Sequence, residues 1–336
     1  MKIEPCGMEK YPDIYFEPAY ARLYESENSK AEEFRFECEY GLITNLFLKR
    51  SIPVSLGDGA RYYDLITPYG YGGPVIHWSS DQEKLIKAYM AEFQAYAECE
   101  NIVDEFVRFH PILGNGKVFQ EAYGSLFDRK TVGTNLTYDD VIGIEFSKHK
   151  RKDIRKILSN SAISYEVCEH PETLDDFMEV YCATMDRDNA SDYYYFSQEY
   201  FRNILSSFPK NVITGKVFLS GKLIAMGLYF RYGKYLHAHL SGTLSEYLDL
   251  SPAYILKYAL ALWGHENGYQ VIHYGGGTSR SSENGLYKFK KDFGRTTEFD
   301  FYIAKKIWNK EQYLRINEAM HANMETEFFP AYREGR

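Results

Sequence analysis

Residues 268–294 read GYQVIHYGGGTSRSSENGLYKFKKDFG. A β-branched pair, Val271-Ile272, runs into three consecutive glycines, Gly275, Gly276 and Gly277. A Ser/Asn-rich loop follows, and then a short basic amphipathic segment, 286–293, closes on Gly294. Glycine at a strand end lets backbone approach a ligand that a Cβ would exclude. A lysine-bearing helix directly after such a loop places an ammonium where negative charge develops. The plain alternative is a sharp strand-to-helix turn with a solvated basic face.

Working outward, the second half of the chain has clear punctuation. Pro171 introduces a helix through Met185, and Ser197 caps another over 198–207. Three strands follow, at 212–219, 222–231 and 235–242. Ser220-Gly221 and Tyr232-Gly233 turn them into an antiparallel meander. Ser251-Pro252 opens a helix to His265, with Ser251 as N-cap and proline in the first turn. The Val271 strand, the glycine loop, the Lys288 helix and a last strand at 298–304 complete the order.

The first half is mixed α and β. Strand-like residues fill 34–47, and Ser80-Asp-Gln-Glu83 reads as a capping box. The helix behind it carries Leu85, Ile86, Tyr89, Phe93 and Tyr96 at helical spacing. A strand at 102–109 stops before Pro111, and 131–144 contains another extended stretch. The basic run SKHKRKDIRKIL, 147–158, is a helix with Ile154, Ile157 and Leu158 as its stripe. It holds phosphates or is a solvated face. A lobe boundary is expected near its end, dividing 1–160 from 161–336.

At 336 residues the chain is long enough for a well-buried core and two lobes. A net charge of −8 argues against nonspecific coating of nucleic acid. Five cysteines, Cys6, Cys38, Cys99, Cys168 and Cys182, form an odd set without C-x-x-C spacing. That suggests free thiols in a reducing compartment, not a disulfide framework. The N-terminus lacks the apolar core of a signal peptide, and no run reaches the roughly twenty apolar residues of a membrane helix. A cytoplasmic protein is expected.

HYGGG followed by LYKFKKDFG resembles the FemA/FemB/FemX group of aminoacyltransferases and their acyltransferase relatives in the GNAT (Gcn5-related N-acetyltransferase) superfamily. The segments DLITPYGYGGP (64–74), VRFHP (107–111), TMDR (184–187) and LSGTLSEYLDLSP (240–252) fit the same pattern in the same order. The resemblance implies an α/β (α+β) protein of two GNAT-like lobes, each a mixed, mainly antiparallel sheet flanked by helices. No short sequence repeat is visible. It implies acyl or aminoacyl transfer from an activated donor, an acyl-CoA or an aminoacyl-tRNA, to an amine, forming an amide. The acceptor is a small molecule with a free amine. Nothing is bound permanently; acyl-CoA enters only as co-substrate.

Lys290 aligns with the lysine that the resembling enzymes use against the oxyanion; its alternative is a surface lysine beside Lys288 and Lys291. The helix start at Ser251, Ala253 and Tyr254, with Gly275–Gly277, is expected to hold the donor, since a helix N-terminus attracts anions. The chain departs from the acetyl-CoA pattern here: EYLDLSPAY replaces Q-x-x-G-x-G/A, which weakens coenzyme A as donor. Tyr69 and Tyr71, in a segment that faces the family's cleft, join Arg187, Tyr194 and His239 as acceptor candidates. Arg187 clamps a carboxylate or phosphate, or pairs with Asp186 and Asp188. His237, His239 and His273 lack an acidic partner motif, so no metal site is expected. No G-x-S-x-G or nucleotide-binding glycine motif is present. The rival reading is a catalytically silent GNAT-like protein that binds a small molecule or partner. The chain also lacks the long helical arm carried by some peptidoglycan-bridge enzymes of this type.

Overall fold

The computed structural model describes residues 10–335. In chain order the elements begin α1 (Pro18–Arg22), β1 (Ser29–Cys38), β2 (Gly41–Ser51), β3 (Tyr63–Ile66), β4 (Val75–Ser79), α2 (Gln82–Cys99) and β5 (Ile102–Arg108). They continue with α3 (Asn115–Val118), α4 (Gln120–Tyr123), β6 (Leu126–Asn135), α5 (Val141–Glu145), α6 (Lys148–Leu158) and β7 (Ile163–Glu169). Next come α7 (Asp175–Arg187), α8 (Gln198–Ser207), β8 (Val212–Leu219), β9 (Lys222–Tyr232), β10 (Tyr235–Thr243) and α9 (Pro252–Glu266). The chain closes with β11 (Val271–Gly275), α10 (Gly285–Lys291), β12 (Glu298–Ile307) and α11 (Lys310–Ala319).

Two compact units result. The N lobe holds Tyr15–Arg129 and Asp300–Arg336; the C lobe holds Lys130–Phe299 and residues 10–14. The expected boundary near residue 160 therefore does not mark their division. Residues 130–160 cluster with the C lobe because β6 pairs with β11, Asn135 opposite Val271. The C-terminal segment clusters with the N lobe because β12 pairs with β5, Ile303 opposite Arg108.

In the N lobe β1, β2 and β3 run antiparallel and β4 joins β2. The α2 crossover then places β5 parallel to β3. Leu85, Tyr89, Phe93 and Ala97 recur at helical spacing, and all four are buried against Ile43, Phe47, Val107 and Trp308. The helix starts one residue later than the capping box suggests: Asp81 accepts the Lys84 N–H at 3.2 Å, while the Ser80 hydroxyl donates to the Glu39 carbonyl.

The C lobe repeats that order. Strands β7 to β10 form an antiparallel meander, α9 crosses over, and β11 lies parallel to β10. Ser220 and Gly221 both have positive φ, 50° and 82°, as the tightest hairpin turn between right-twisted strands requires. Ser197 caps α8 as expected, and Ser147, read as the first helical residue, instead caps α6; each accepts an N–H of the first turn. Two expectations shift. The stretch 131–144 stops being strand at Asn135, and Asp140 then caps α5. The helix after Pro171 begins only at Asp175, where Asp175 and Asp176 suit its positive end. The lobe's core lies where Ile255, Leu256 and Leu260 of α9 meet Ile213, Ile224 and Ile272 of the sheet.

Candidate active site

The parallel pairing of β10 and β11 covers only Tyr235–His237 opposite Val271–His273. Past that point β10 bulges between Ala238 and Leu240, and β11 shifts register between His273 and Gly275. The two strands part, and a cavity of about 200 Å³ opens beside the first turns of α9. His239, Ser241, Tyr274, Lys257 and Lys290 are its polar lining; Leu256, Leu286 and Phe289 are among its apolar walls.

Lys290 donates from Nζ to the Gly276 carbonyl at 2.6 Å. Burial, reinforced by the charge of Lys257, pushes its ammonium down to about 7. Lys257 sits with Nζ 4.2 Å from the centre of the Tyr274 ring, and burial pushes it down to about 8. Both shifts share one cause: a cation in a weakly polar cavity loses hydration that its few polar neighbours replace only in part. His239 bonds Tyr200 Oη through Nε2 at 2.9 Å, and burial pushes it down to about 3, so it is neutral at physiological pH.

The glycine loop holds this geometry. Asn284 accepts the N–H groups of Leu286, Tyr287 and Thr278 and donates to the Thr278 hydroxyl, so one side chain caps α10 and shapes the loop. Gly275 has φ 74°, the left-handed region that favours glycine. A Cβ on Gly277 would collide with the Asn284 side chain. At the other end of α10, Phe293 is buried against Phe146, and its carbonyl accepts from the Thr134 hydroxyl at 2.6 Å. Gly294 follows because a Cβ there would overlap the Gly133 carbonyl oxygen. The phenylalanine and final glycine of KKDFG thus seat the helix, and Lys290 projects from it.

The structure distributes the candidates unequally. Lys290, Ala253 and His239 line the cavity together, and Gly276 reaches it through Lys290. Ser251 and Tyr254 line a different cavity, of about 440 Å³, with Asp153, Lys156 and Asp249. Ser251 stands at the N-cap position, but with φ 50° its side chain caps nothing. Arg187 lies in neither: it pairs with Asp188 at 2.8 Å and donates to the Thr243 carbonyl. Tyr194 is exposed, and its carbonyl accepts from Tyr181. Tyr69 and Tyr71 belong to the N lobe, where Tyr71 packs edge-on against Tyr15 and Phe301. The bulge also separates the two histidines of β10: His237 pairs with Asp13 at 2.8 Å, both buried, whereas His239 faces Tyr200.

Lys257, Tyr229 and Tyr274 escape the sequence reading. Lys257 had a signal, as the one charge inside PAYILKYALALWG. Tyr229 had a fainter one in Gly227: a Cβ there would strike the tyrosine hydroxyl, so the glycine makes room for a cavity wall.

Residues 145–291 match the acetyltransferase (GNAT) domain family. The chain is similar to the crystal structure of FemX over 90% of its length and 94% of that chain, at TM-score 0.67 and 15% identity. The C-terminal domain of an Agrobacterium fabrum protein assigned as a lysylphosphatidylglycerol synthetase matches at TM-score 0.56 and 15% identity, covering 88% of each chain. L-PGS from Bacillus licheniformis follows at 0.50 and 14%, over 82% and 85%. The chain has a FemX-like GNAT fold. No curated protein matches its sequence. Among the described residues, no helix is long and apolar enough to cross a membrane.

Proposed function

We propose that the protein transfers an acyl or aminoacyl group from an activated donor to the amine of a small acceptor. The observation that carries this is Lys290, held against Gly276 at the wall of the cavity that opens where β10 and β11 part. The acceptor nitrogen attacks the donor carbonyl, a C–N bond forms, and the carbonyl electron pair moves onto oxygen. Lys290 meets that oxygen as an ammonium and binds the transition state more tightly than the ground state. Collapse restores the carbonyl and expels the thiolate of coenzyme A or the ester oxygen of tRNA, which takes up the proton released by the amine. No covalent enzyme intermediate forms.

In this reading Gly275–Gly277 and the start of α9, at Ser251, Ala253 and Tyr254, hold the donor. His239, on the cavity wall, orients the acceptor. Lys156 lines that cavity together with Asp153 and Asp249, and Lys150 donates to the Tyr254 hydroxyl at 2.7 Å, so a donor meets charges of both signs there.

The test is thermal stability against acetyl-CoA, longer acyl-CoAs and a nonhydrolysable aminoacyl-tRNA mimic, since a ligand of the folded state raises the melting temperature. A shift with one donor, retained in Lys290→Ala while turnover is lost, is the expected result. A shift with none removes the reading. Lys290 works only when protonated, so kcat/KM in wild type falls as pH rises through about 7.

A further inference from the structure

The cavity holds one cation more than acyl transfer needs. An oxyanion carries a single charge, and only near the transition state; one ammonium serves it. Here Lys257 and Lys290 line the same space and no carboxylate lines it with them. Among the described residues neither lysine has an acidic partner. The charged group acting on Lys290 is Lys257, and Lys257 has no carboxylate acting on it. The faces of Tyr274 and Phe289, 4.2 and 5.8 Å from the Lys257 ammonium, are its electron-rich neighbours. Ring faces soften a cation's isolation but do not neutralise it. The remaining titratable neighbours, Tyr229 and His239, supply no negative charge: burial holds the tyrosine protonated and the histidine neutral. Two ammonium groups lining one small cavity with no carboxylate among them repel each other, and a ligand that brings an anion relieves this.

Building on the acyl-transfer reading, we infer that the substrate carries a permanent anion, a carboxylate or phosphate, close to the reacting carbonyl, and that Lys257 binds it while Lys290 serves the carbonyl oxygen. The anion sits either on the acyl chain or on the amine acceptor; the chemistry at Lys257 is the same. Binding draws both lysines into their charged forms, so the ligand enters with uptake of protons. Lys257 is then the residue that selects charged over neutral substrates.

The first probe is acetate against its neutral isostere acetamide, read by NMR titration of the lysine ε-carbons in the full chain. Acetate is expected to raise the titration midpoints of Lys257 and Lys290, and acetamide to leave them in place. Lys257→Met, which keeps the side-chain bulk, weakens acetate binding at least about tenfold, as loss of a charge-assisted bond implies; Lys257→Arg retains it. Midpoints unmoved by saturating acetate, or moved equally by acetamide, overturn the inference. Two matched pairs then locate the anion: succinyl-CoA against butyryl-CoA for the donor, and a short peptide acid against its amide for the acceptor. A preference of about tenfold or more for the charged member of one pair, lost in Lys257→Met, is expected; equal or better use of the neutral member in both pairs overturns it. Acetate binding without transfer from any donor removes the transfer reading and keeps only the anion site at Lys257. Transfer that favours neutral substrates, with no acetate effect, does the reverse.

Discussion

The two lobes solve the same topological problem with opposite contents. Each sends a helix from an antiparallel strand across to a parallel neighbour: α2 joins the N-lobe meander to β5, and α9 joins β10 to β11. Each then adds a short helical segment, α3–α4 or α10, before the next strand. In the N lobe the result is closed. Tyr123 meets Tyr89 hydroxyl to hydroxyl at 2.9 Å, Trp308 packs against both Tyr123 and Phe93, and Glu105 accepts from Asn45 and the Trp308 indole. Each of these side chains has a partner inside the lobe, although the Asn45 carbonyl oxygen is left over. In the C lobe the strands part, and the ammonium groups of Lys257 and Lys290 line a cavity without a carboxylate. Buried polarity met by protein groups makes architecture; half-buried charge left for a ligand to answer makes a site.

The largest effect expected from this contrast is catalytic. Lys290→Ala lowers kcat on the order of 100- to 1000-fold, the loss typical of one oxyanion donor, with the melting temperature held or raised because a buried cation is gone. Steady-state turnover beside a thermal scan checks both halves; a large fall in stability would make Lys290 a packing residue and erase the contrast. Next is Gly294→Ala, whose new methyl meets the Gly133 backbone oxygen and costs about 2–4 kcal/mol in denaturant unfolding. Gly285→Ala, with open space at its Cβ inside α10, gains about 0.5–1 kcal/mol instead.

The pH dependence of stability should differ in sign between the lobes. Burial raises Glu105 from 4.5 to about 7, so between those values the folded state binds the extra proton. Its contribution is complete below 4.5 and is lost as pH rises through about 7, a change on the order of 3 kcal/mol. Glu105→Gln flattens that slope whatever its own cost. Lys257 and Lys290 lie below their ordinary 10.5; there the unfolded chain binds the extra protons. Their contribution is complete above 10.5 and is lost as pH falls through about 8 and then 7. Urea unfolding from pH 5 to 10 separates the two trends. The smallest effect is Tyr123→Phe, which removes a buried hydroxyl pair in the closed lobe at about 1 kcal/mol. No change in its urea midpoint would show that the N-lobe network contributes little.

Much of the fold was legible because its signals are short-range. Ser197 caps the turn directly after it, and Ser220-Gly221 closes a two-residue hairpin. The stripe Leu85, Tyr89 and Phe93 shows its buried face over three turns. The site was legible only where it coincides with such a segment, as at Lys290 and the glycine loop. Arg187, which looked like a ligand clamp, is taken up by Asp188 and the end of β10, and the latter contact spans 56 positions of sequence. The boundary at 160 failed for the same reason, since the pairing that assigns residues 130–160 to the C lobe joins Asn135 to Val271.

By itself, then, the order of residues determined the meanders, the capped helices and the lysine that ends a glycine-loop helix, because each depends on neighbours within a few turns. Only the tertiary structure decided that Lys257 and Lys290 share one enclosed space with no acid beside them. Desolvation and charge balance are properties of everything packed around a group, and the surroundings of these two lysines come from β9, β10, α9, β11 and α10 together.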